Sequence, residues 1–402
     1  MQIYEPAEDS YLLQKYVQKY ASGRVLDLGT GSGIQALAAA ENISVREIIA
    51  VDINYDAIAK LKSVFHSKIV SKIKYLVSDL FSNVSGKFDT IIFNPPYLPQ
   101  DKNIEDPALY GGKHGYKLSE KFFAQVSPHL APKGKILFLF SSFTNKKKID
   151  EIIETNLLEA EQLEQQHLHF EDLYVYLISK TQLRTELERK GIENIHYFTH
   201  GKRGDIYTGM WNHNISDKKI LSKKLIKVAI KTKRKESQAV ERISNEIKWL
   251  RIINKHHLGP HLLFYGQNYF VYEFVEGEFI LDWIAKNKKT NPKTNTSTNT
   301  KIKITKMLTA VLKQCFLLDQ LKINKEEMHR PLKHIVINNQ DQPVLLDFER
   351  TAKTKSPKNV TQFIEFMVRL QFLKREKALP LLKEYKPNIN QKNLEKIIKC
   401  FS

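Results

Sequence analysis

Cysteine is nearly absent from this chain: Cys315 and Cys400 are the only two in 402 residues. That argues against a disulfide framework or a four-thiolate zinc site and fits a reducing compartment. Long apolar runs are missing too. No stretch reaches the roughly 20 consecutive apolar residues of a membrane-spanning helix, and the first residues lack a charged-then-apolar leader pattern. A soluble, cytoplasmic protein with no membrane partner is expected. Arginine is scarce, 12 residues against 51 lysines, although the net charge is +19. Phosphate and base-edge recognition favours the planar guanidinium. A lysine excess therefore reads equally well as coding bias, and contact of the basic surface with RNA or a ribosome stays open.

The charge is unevenly spread. Residues 1–180 hold 20 basic and 22 acidic side chains, the remainder 43 and 22. A chain of this length exceeds what one α/β core fills. The jump therefore marks a junction between two modules, 1–180 and 181–402, the first closing on the apolar strand Leu173–Ile178. No internal repeats are visible.

What is present speaks most clearly at Asn94-Pro95-Pro96-Tyr97, directly after the apolar run Thr90–Phe93. Such a run reads as a buried parallel strand, and an open α/β sheet binds its ligand beyond strand ends. The Asn94 side-chain carbonyl and the Pro95 backbone carbonyl can both accept from one planar NH2 group. Two fixed acceptors aim that nitrogen's lone pair at an electrophile; proline stiffens the platform, and Tyr97 offers a flat face for stacking. Turn-forming residues after a strand would look similar, so the context decides. Upstream, Arg24–Leu28 is a strand with Asp27 near its end. It runs into a turn carrying Gly29, Gly31 and Gly33, and a helix starts at Ile34. Glycines allow close backbone approach to a ligand, and the helix N-terminus adds a positive dipole end. The next strand ends in Asp52, suited to ribose hydroxyls, and the third runs into Asp79-Leu80, where a carboxylate can meet an adenine amino group.

Glycine turn, acid, acid and Asn-Pro-Pro-Tyr, each after a strand, form an ordered series. It resembles the class I methyltransferases that bind S-adenosylmethionine, an α/β fold with a Rossmann-like, doubly wound sheet. The opening Tyr4–Leu13 and the segment Tyr110–Gly115 narrow this further. With Asn94–Tyr97 they resemble the short HemK-like release-factor glutamine methyltransferases of archaea and eukaryotes, over roughly residues 1–180. The resemblance implies methylation of the glutamine amide in the Gly-Gly-Gln loop of a class I release factor. It also implies Pro6 and Glu8 in the cofactor pocket and Gly111, Gly112 and Gly115 shaping a substrate loop. Whether a small activating subunit caps the domain is left open. By ordinary rules the opening is a helix capped by Asp9 or Ser10 and the glycines a flexible loop; both descriptions can hold together.

The second half has a series of its own. Gly201 and Gly204 suit a loop over phosphates. Ile226–Lys231 alternates and ends on a lysine, a helical stretch follows from Glu236 to Ile253 with Glu246 placed to pair with Lys231, and Phe270–Gly277 reads as a strand entering a hinge. Pro343–Glu349 places Asp347 at a strand end, where kinases hold Mg²⁺. In this order the pieces resemble small archaeal serine/threonine kinases distantly related to the RIO type, an α+β bilobal fold with its N-lobe at about 190–275 and its C-lobe at 301–402. The resemblance implies ATP with Mg²⁺. It departs from the kinase pattern where an Asp base and a metal-binding Asn belong; Glu327 is the substitute base, and His334 stands where the Asn belongs. Binding is thus expected to exceed phosphotransfer, with a pseudokinase as the alternative. Residues 286–300 are polar and low in complexity and read as a disordered insertion. Two readings of the whole stand: a glutamine methyltransferase fused to a kinase-like domain, or a nucleic-acid amino-methyltransferase with a basic RNA-binding half.

Overall fold

The structure is a computed structural model that describes residues 3–64, 71–98, 115–200, 204–212, 225–233, 240–289 and 296–401. By its contacts the chain divides into two compact units, Met1–Tyr197 with Met210–Leu225 and Phe198–Gly209 with Ile226–Ser402. Against the boundary expected at 180, the first unit thus extends past the strand that ends at Lys180.

The first unit runs α1 (Glu8–Tyr20), β1 (Gly23–Leu28), α2 (Ile34–Glu41), β2 (Val45–Asp52), α3 (Tyr55–Val64), β3 (Ile73–Val77) and β4 (Phe88–Phe93). It continues with α4 (Lys117–Val126), β5 (Leu130–Ser141), α5 (Lys146–Thr155), β6 (Leu158–His167), β7 (Asp172–Lys180) and α6 (Gln182–Arg189). One seven-stranded sheet has the order β3-β2-β1-β4-β5-β7-β6. β1 to β5 are mutually parallel, and β7 is antiparallel to β5 and β6. This is the expected doubly wound architecture. The reason lies in the strands, which are apolar on both faces because helices cover both. On β5, Ile136, Phe138 and Phe140 enter a core with Phe122 and Phe123 of α4, while Leu137 and Leu139 point the other way, to Leu13 and Val17 of α1. Strand order reverses between β1 and β4, which opens a crevice at their C-terminal ends.

α1 begins at Glu8 with Ala7 at its N-cap, so neither Asp9 nor Ser10 caps it. Glu8 and Asp9 both lie in the first turn, where the helix dipole favours acids. Asp9 is then free to turn inward, and it is buried.

A second sheet has the order β11-β12-β10-β9-β8: β8 (Ile192–His200), β9 (Gly204–Asn212), β10 (Leu225–Lys233), β11 (Leu262–Tyr265) and β12 (Tyr269–Glu273), with α7 (Val240–Ile253) between β10 and β11. The division between the units passes through β8 and β9. Then follow β13 (Gly277–Phe279), α8 (Ile280–Lys289), α9 (Thr296–Gln320), β14 (Ile323–Asn324), β15 (Ile335–Asn338), β16 (Pro343–Leu345), β17 (Ala352–Lys353), α10 (Asn359–Arg369), α11 (Arg375–Tyr385) and α12 (Gln391–Lys399). The core gathers on α9, where Met307, Leu308, Val311, Leu312, Cys315 and Phe316 repeat at helical spacing on one buried face.

The insertion expected at 286–300 is largely helix instead. Lys286–Lys289 form the last turn of α8 and Thr296–Thr300 open α9; residues 290–295 lie outside the described residues. Lysines suit a helix C-terminus, and Ser, Thr and Asn suit an N-terminus, so a segment without apolar period still extends two helices. No helix among the described residues is long and apolar enough to cross a membrane. Both cysteines are free thiols.

Candidate active site

The crevice at the ends of β1 to β4 contains a cavity of about 570 Å³, within the range of small-molecule and cofactor sites. Its floor is the turn after β1. Gly31 and Gly33 lie at φ +51° and +82°, the left-handed region that side chains other than glycine seldom adopt. Asp27 is buried and accepts from the Thr30 hydroxyl (2.6 Å) and the Ala36 N–H (3.0 Å), clamping the turn to the start of α2. Asp52 accepts from the Gly31 N–H and the Asn54 N–H, both at 2.8 Å. Past β3, Ser78 braces the next turn, donating to the Leu80 carbonyl (3.0 Å) and accepting from the Asn83 N–H (2.9 Å). It holds Leu80 at φ +45° in the cavity wall beside Asp79. Strained backbone at a ligand wall persists where the surroundings over-determine it.

The opposite wall is Asn94–Tyr97. Asn94 donates from Nδ2 to Asp9 Oδ2 at 2.8 Å. Asp9 also accepts through Oδ1 from the Tyr4 hydroxyl (3.1 Å) and the Ser10 N–H (2.6 Å), the donor set of an ionised carboxylate. An acceptor-only partner fixes which end of the Asn94 amide faces Asp9. The other end, Oδ1, is buried and has no partner. A buried acceptor without a donor is costly and calls for one from a ligand. Burial, then Asp9, push the Tyr97 hydroxyl well above its usual pKa, so its ring faces the cavity neutral. Gly115, at φ +74°, packs so closely on the Tyr97 carbonyl that a Cβ there would collide with it.

Of the expected cofactor residues, Asp27, Gly29, Gly31, Asp52, Asp79, Leu80 and Asn94 line the cavity. Pro6 and Glu8 do not: Glu8 is exposed, and the opening segment reaches the cavity through Tyr4, Asp9 and Ser10. Gly33 sits one step back as the N-cap of α2. Gly111 and Gly112 lie outside the described residues. Asp9 was the residue that sequence reasoning took for a cap.

The sequence profile of the methyltransferase small domain matches residues 7–170. A predicted protein N5-glutamine methyltransferase of Methanocaldococcus jannaschii is 39% identical over 153 residues, which cover 37% of this chain and 76% of that protein. Methyltransferase HEMK2 of Homo sapiens is 30% identical over 172 residues, covering 39% and 80%. The chain belongs to the HemK-like methyltransferases. A release factor glutamine methyltransferase of Deinococcus radiodurans is 30% identical over 138 residues, covering 32% of this chain and 49% of that protein.

For a HemK-like enzyme the methyl donor is S-adenosylmethionine; one expected outcome tests its fit, and a second tests the electrostatics of the turn after β1. If Asp52 meets the ribose hydroxyls as expected, removing its carboxylate takes away their acceptor and also frees the Gly31 N–H. Calorimetric titration of Asp52→Ala with S-adenosylhomocysteine should show a loss of about 1–3 kcal/mol; equal affinity in the variant would place the ribose elsewhere. The second concerns Asp27, whose carboxyl burial pushes up to about 7 although Thr30 and Ala36 oppose the shift. A carboxyl raised in the folded state stabilises below its unfolded pKa near 3.8, and that contribution fades as pH rises through 7. Asp27→Asn removes the titration, so its unfolding free energy should gain on the wild type between pH 4 and pH 7, by a margin of order a few kcal/mol. Parallel stability–pH curves for the two proteins would refute this.

The second unit holds a polar centre of its own. Lys231 on β10 pairs with the buried Glu246 of α7 at 2.6 Å and lies 3.7 Å from Asp347. Glu246 also accepts from the Phe348 N–H (3.2 Å). Burial acts to raise Asp347, but Lys231, Lys325 and His334 together hold its carboxyl below the usual range. Lys325, which the sequence reading passed over, is almost wholly buried and donates to the Asp347 carbonyl (2.8 Å). Asp347 and Glu327 lie at φ +62° and +70°. Glu327 pairs with His334 Nε2 (2.6 Å) and Arg350 (3.0 Å), while His334 Nδ1 lies 3.6 Å from Asp347. Carboxylates of Glu246, Asp347 and Glu349 gather within 4.8 Å of one another. Mg²⁺ prefers oxygen ligands, so Glu349 fits a metal beside Asp347 better than the expected His334. Gly204 starts β9 against the Thr232 carbonyl, where it allows close strand approach; Gly201 lies outside the described residues.

Proposed function

We propose that the first unit transfers a methyl group to the side-chain amide nitrogen of a glutamine in a class I translation release factor. The observation that carries this is the buried, unpartnered Oδ1 of Asn94, fixed in place by Asp9. The glycine turn, Asp52 and the Asp79–Leu80 wall would hold S-adenosylmethionine, which would supply an electrophilic methyl and leave as S-adenosylhomocysteine when its S–CH3 bond breaks. Asn94 Oδ1 accepts one N–H of the substrate amide and the Pro95 carbonyl the other. Accepting both hydrogens raises electron density on a nitrogen that resonance otherwise makes a poor nucleophile, and aims its lone pair. Tyr97 packs on the amide plane. The relatives, which include protein N5-glutamine and release factor glutamine methyltransferases, support this choice of acceptor.

For the second unit we propose a kinase-like domain that binds ATP with Mg²⁺. The contact of Lys231 with Glu246 and Asp347 supports it. Lys231 would reach phosphate oxygens, Asp347 the metal. Glu327, already engaged by His334 and Arg350, is poorly placed to act as a base, so phosphotransfer is expected to be slow. Labelled-methyl transfer from S-adenosylmethionine to purified release factor, run beside bulk RNA, tests the first proposal. Label on a release-factor glutamine is the expected result; label on RNA alone would establish the nucleic-acid reading instead.

A further inference from the structure

Glu171 sits in the turn joining β6 to β7, with its carbonyl accepting from the Leu168 N–H (2.8 Å). The turn is fastened on both sides of it. His167 Nδ1 lies 2.9 Å from Asp172 Oδ1, and the Asp172 N–H donates to Ser142 Oγ (3.1 Å). Its side chain lines the same cavity as Asn94 and Tyr97. Its charge is felt at both tyrosines there, adding to burial and Asp9 in raising the Tyr4 and Tyr97 hydroxyls. Yet Oε2 of Glu171 is buried and has no hydrogen-bond partner.

Three residues that line the cavity carry an orphaned acceptor, Gln35 Oε1, Asn94 Oδ1 and Glu171 Oε2; Gln35 is tied through Nε2 to the Ser10 carbonyl, and of the three only Glu171 is a carboxylate. A carboxylate oxygen removed from water without a donor costs more than an amide oxygen in the same position. The substrate amide has two N–H groups, and Asn94 with the Pro95 carbonyl uses both. Glu171 therefore needs a third donor from another part of the substrate. A peptide supplies one in the backbone N–H beside the acceptor glutamine, whereas a free primary amide has none. We infer that Glu171 accepts a backbone N–H adjoining the acceptor glutamine and so selects a glutamine embedded in a polypeptide.

This rests on the glutamine reading above, and the test separates the two. Full-length wild type, Glu171→Ala and Glu171→Gln are assayed on a glutamine-containing release-factor peptide. Two further peptides are N-methylated at the glutamine's own backbone nitrogen or at that of the next residue. Losing a charge-assisted hydrogen bond made equally in ground and transition states raises KM and leaves kcat alone. Glu171→Ala should raise KM about tenfold, with kcat within about twofold and unchanged affinity for S-adenosylhomocysteine. The isosteric Glu171→Gln, which keeps an acceptor oxygen, should recover part of that loss. One of the N-methylated peptides should lose a similar factor with wild type and nothing further with Glu171→Ala. An unchanged KM, or losses that simply add, overturns the inference and leaves the glutamine reading intact. A wild type that methylates no glutamine peptide overturns both.

Discussion

Replacing Asn94 with alanine is expected to cut methyl-transfer turnover by about two orders of magnitude or more, as for loss of a positioning group at the reacting atom. Affinity for S-adenosylhomocysteine should stay nearly intact. The separation follows from where the side chain points. Its Nδ2 is held by Asp9 on the protein side, and its Oδ1 meets the cavity alone. Asp9→Asn should mimic part of the defect. With an amide in place of the carboxylate, the neighbour can donate as well as accept, and the Asn94 amide can turn so that its NH2 faces the substrate. Two donors then oppose each other, and turnover should fall about tenfold, one misplaced hydrogen bond at the nucleophile. Single-turnover kinetics with labelled cofactor would settle the matter. Normal turnover in Asn94→Ala would mean that another group orients the nitrogen.

The sequence made the central strands of the first unit legible because burial on both faces writes them as apolar runs. Ile91, Ile92 and Phe93 are all buried, and the three alternate between two separate cores. Acids at strand ends were visible too, since Asp52 closes β2 and Asp79 stands two residues past β3. β6 was not. Glu159, Glu161, Gln162 and Glu164 dominate it, and it lies at the sheet edge, where charged side chains discourage pairing with another chain. An edge strand built that way carries no hydrophobic signal. Asp9 was misread for a different reason. An acid at a helix start is the mark of a cap, and only the tertiary contact with Asn94, 85 residues on, reveals its other task. Lys325 escaped in the same manner, because a lysine in a charged loop looks solvated until the fold closes over it.

Lys231→Ala should abolish most of the Mg²⁺-dependent ATP affinity of the full-length protein, a loss of about tenfold or more, since charge-assisted contacts to phosphate contribute about 1.5–3 kcal/mol each. Under the proposed ATP reading, each of the three side chains has a separate task. Lys231 pairs with Glu246 at 2.6 Å, yet it also lies 3.7 Å from Asp347, a longer and weaker approach. A bound metal would claim Asp347, and a phosphate would then take the open side of the ammonium, with Glu246 remaining its anchor. Glu246→Gln should therefore weaken binding less than Lys231→Ala, because an amide still accepts from the ammonium while losing the ion pair. Asp347→Asn should reduce the Mg²⁺ dependence itself. Calorimetric titration of the full chain with ATP, with and without Mg²⁺, measures all three, and the Asn94→Ala protein serves as a control with this unit unaltered. If wild type binds no ATP under either condition, the Lys231–Glu246–Asp347 contact is a structural ion-pair network, and the basic surface becomes the next place to look for the second unit's ligand.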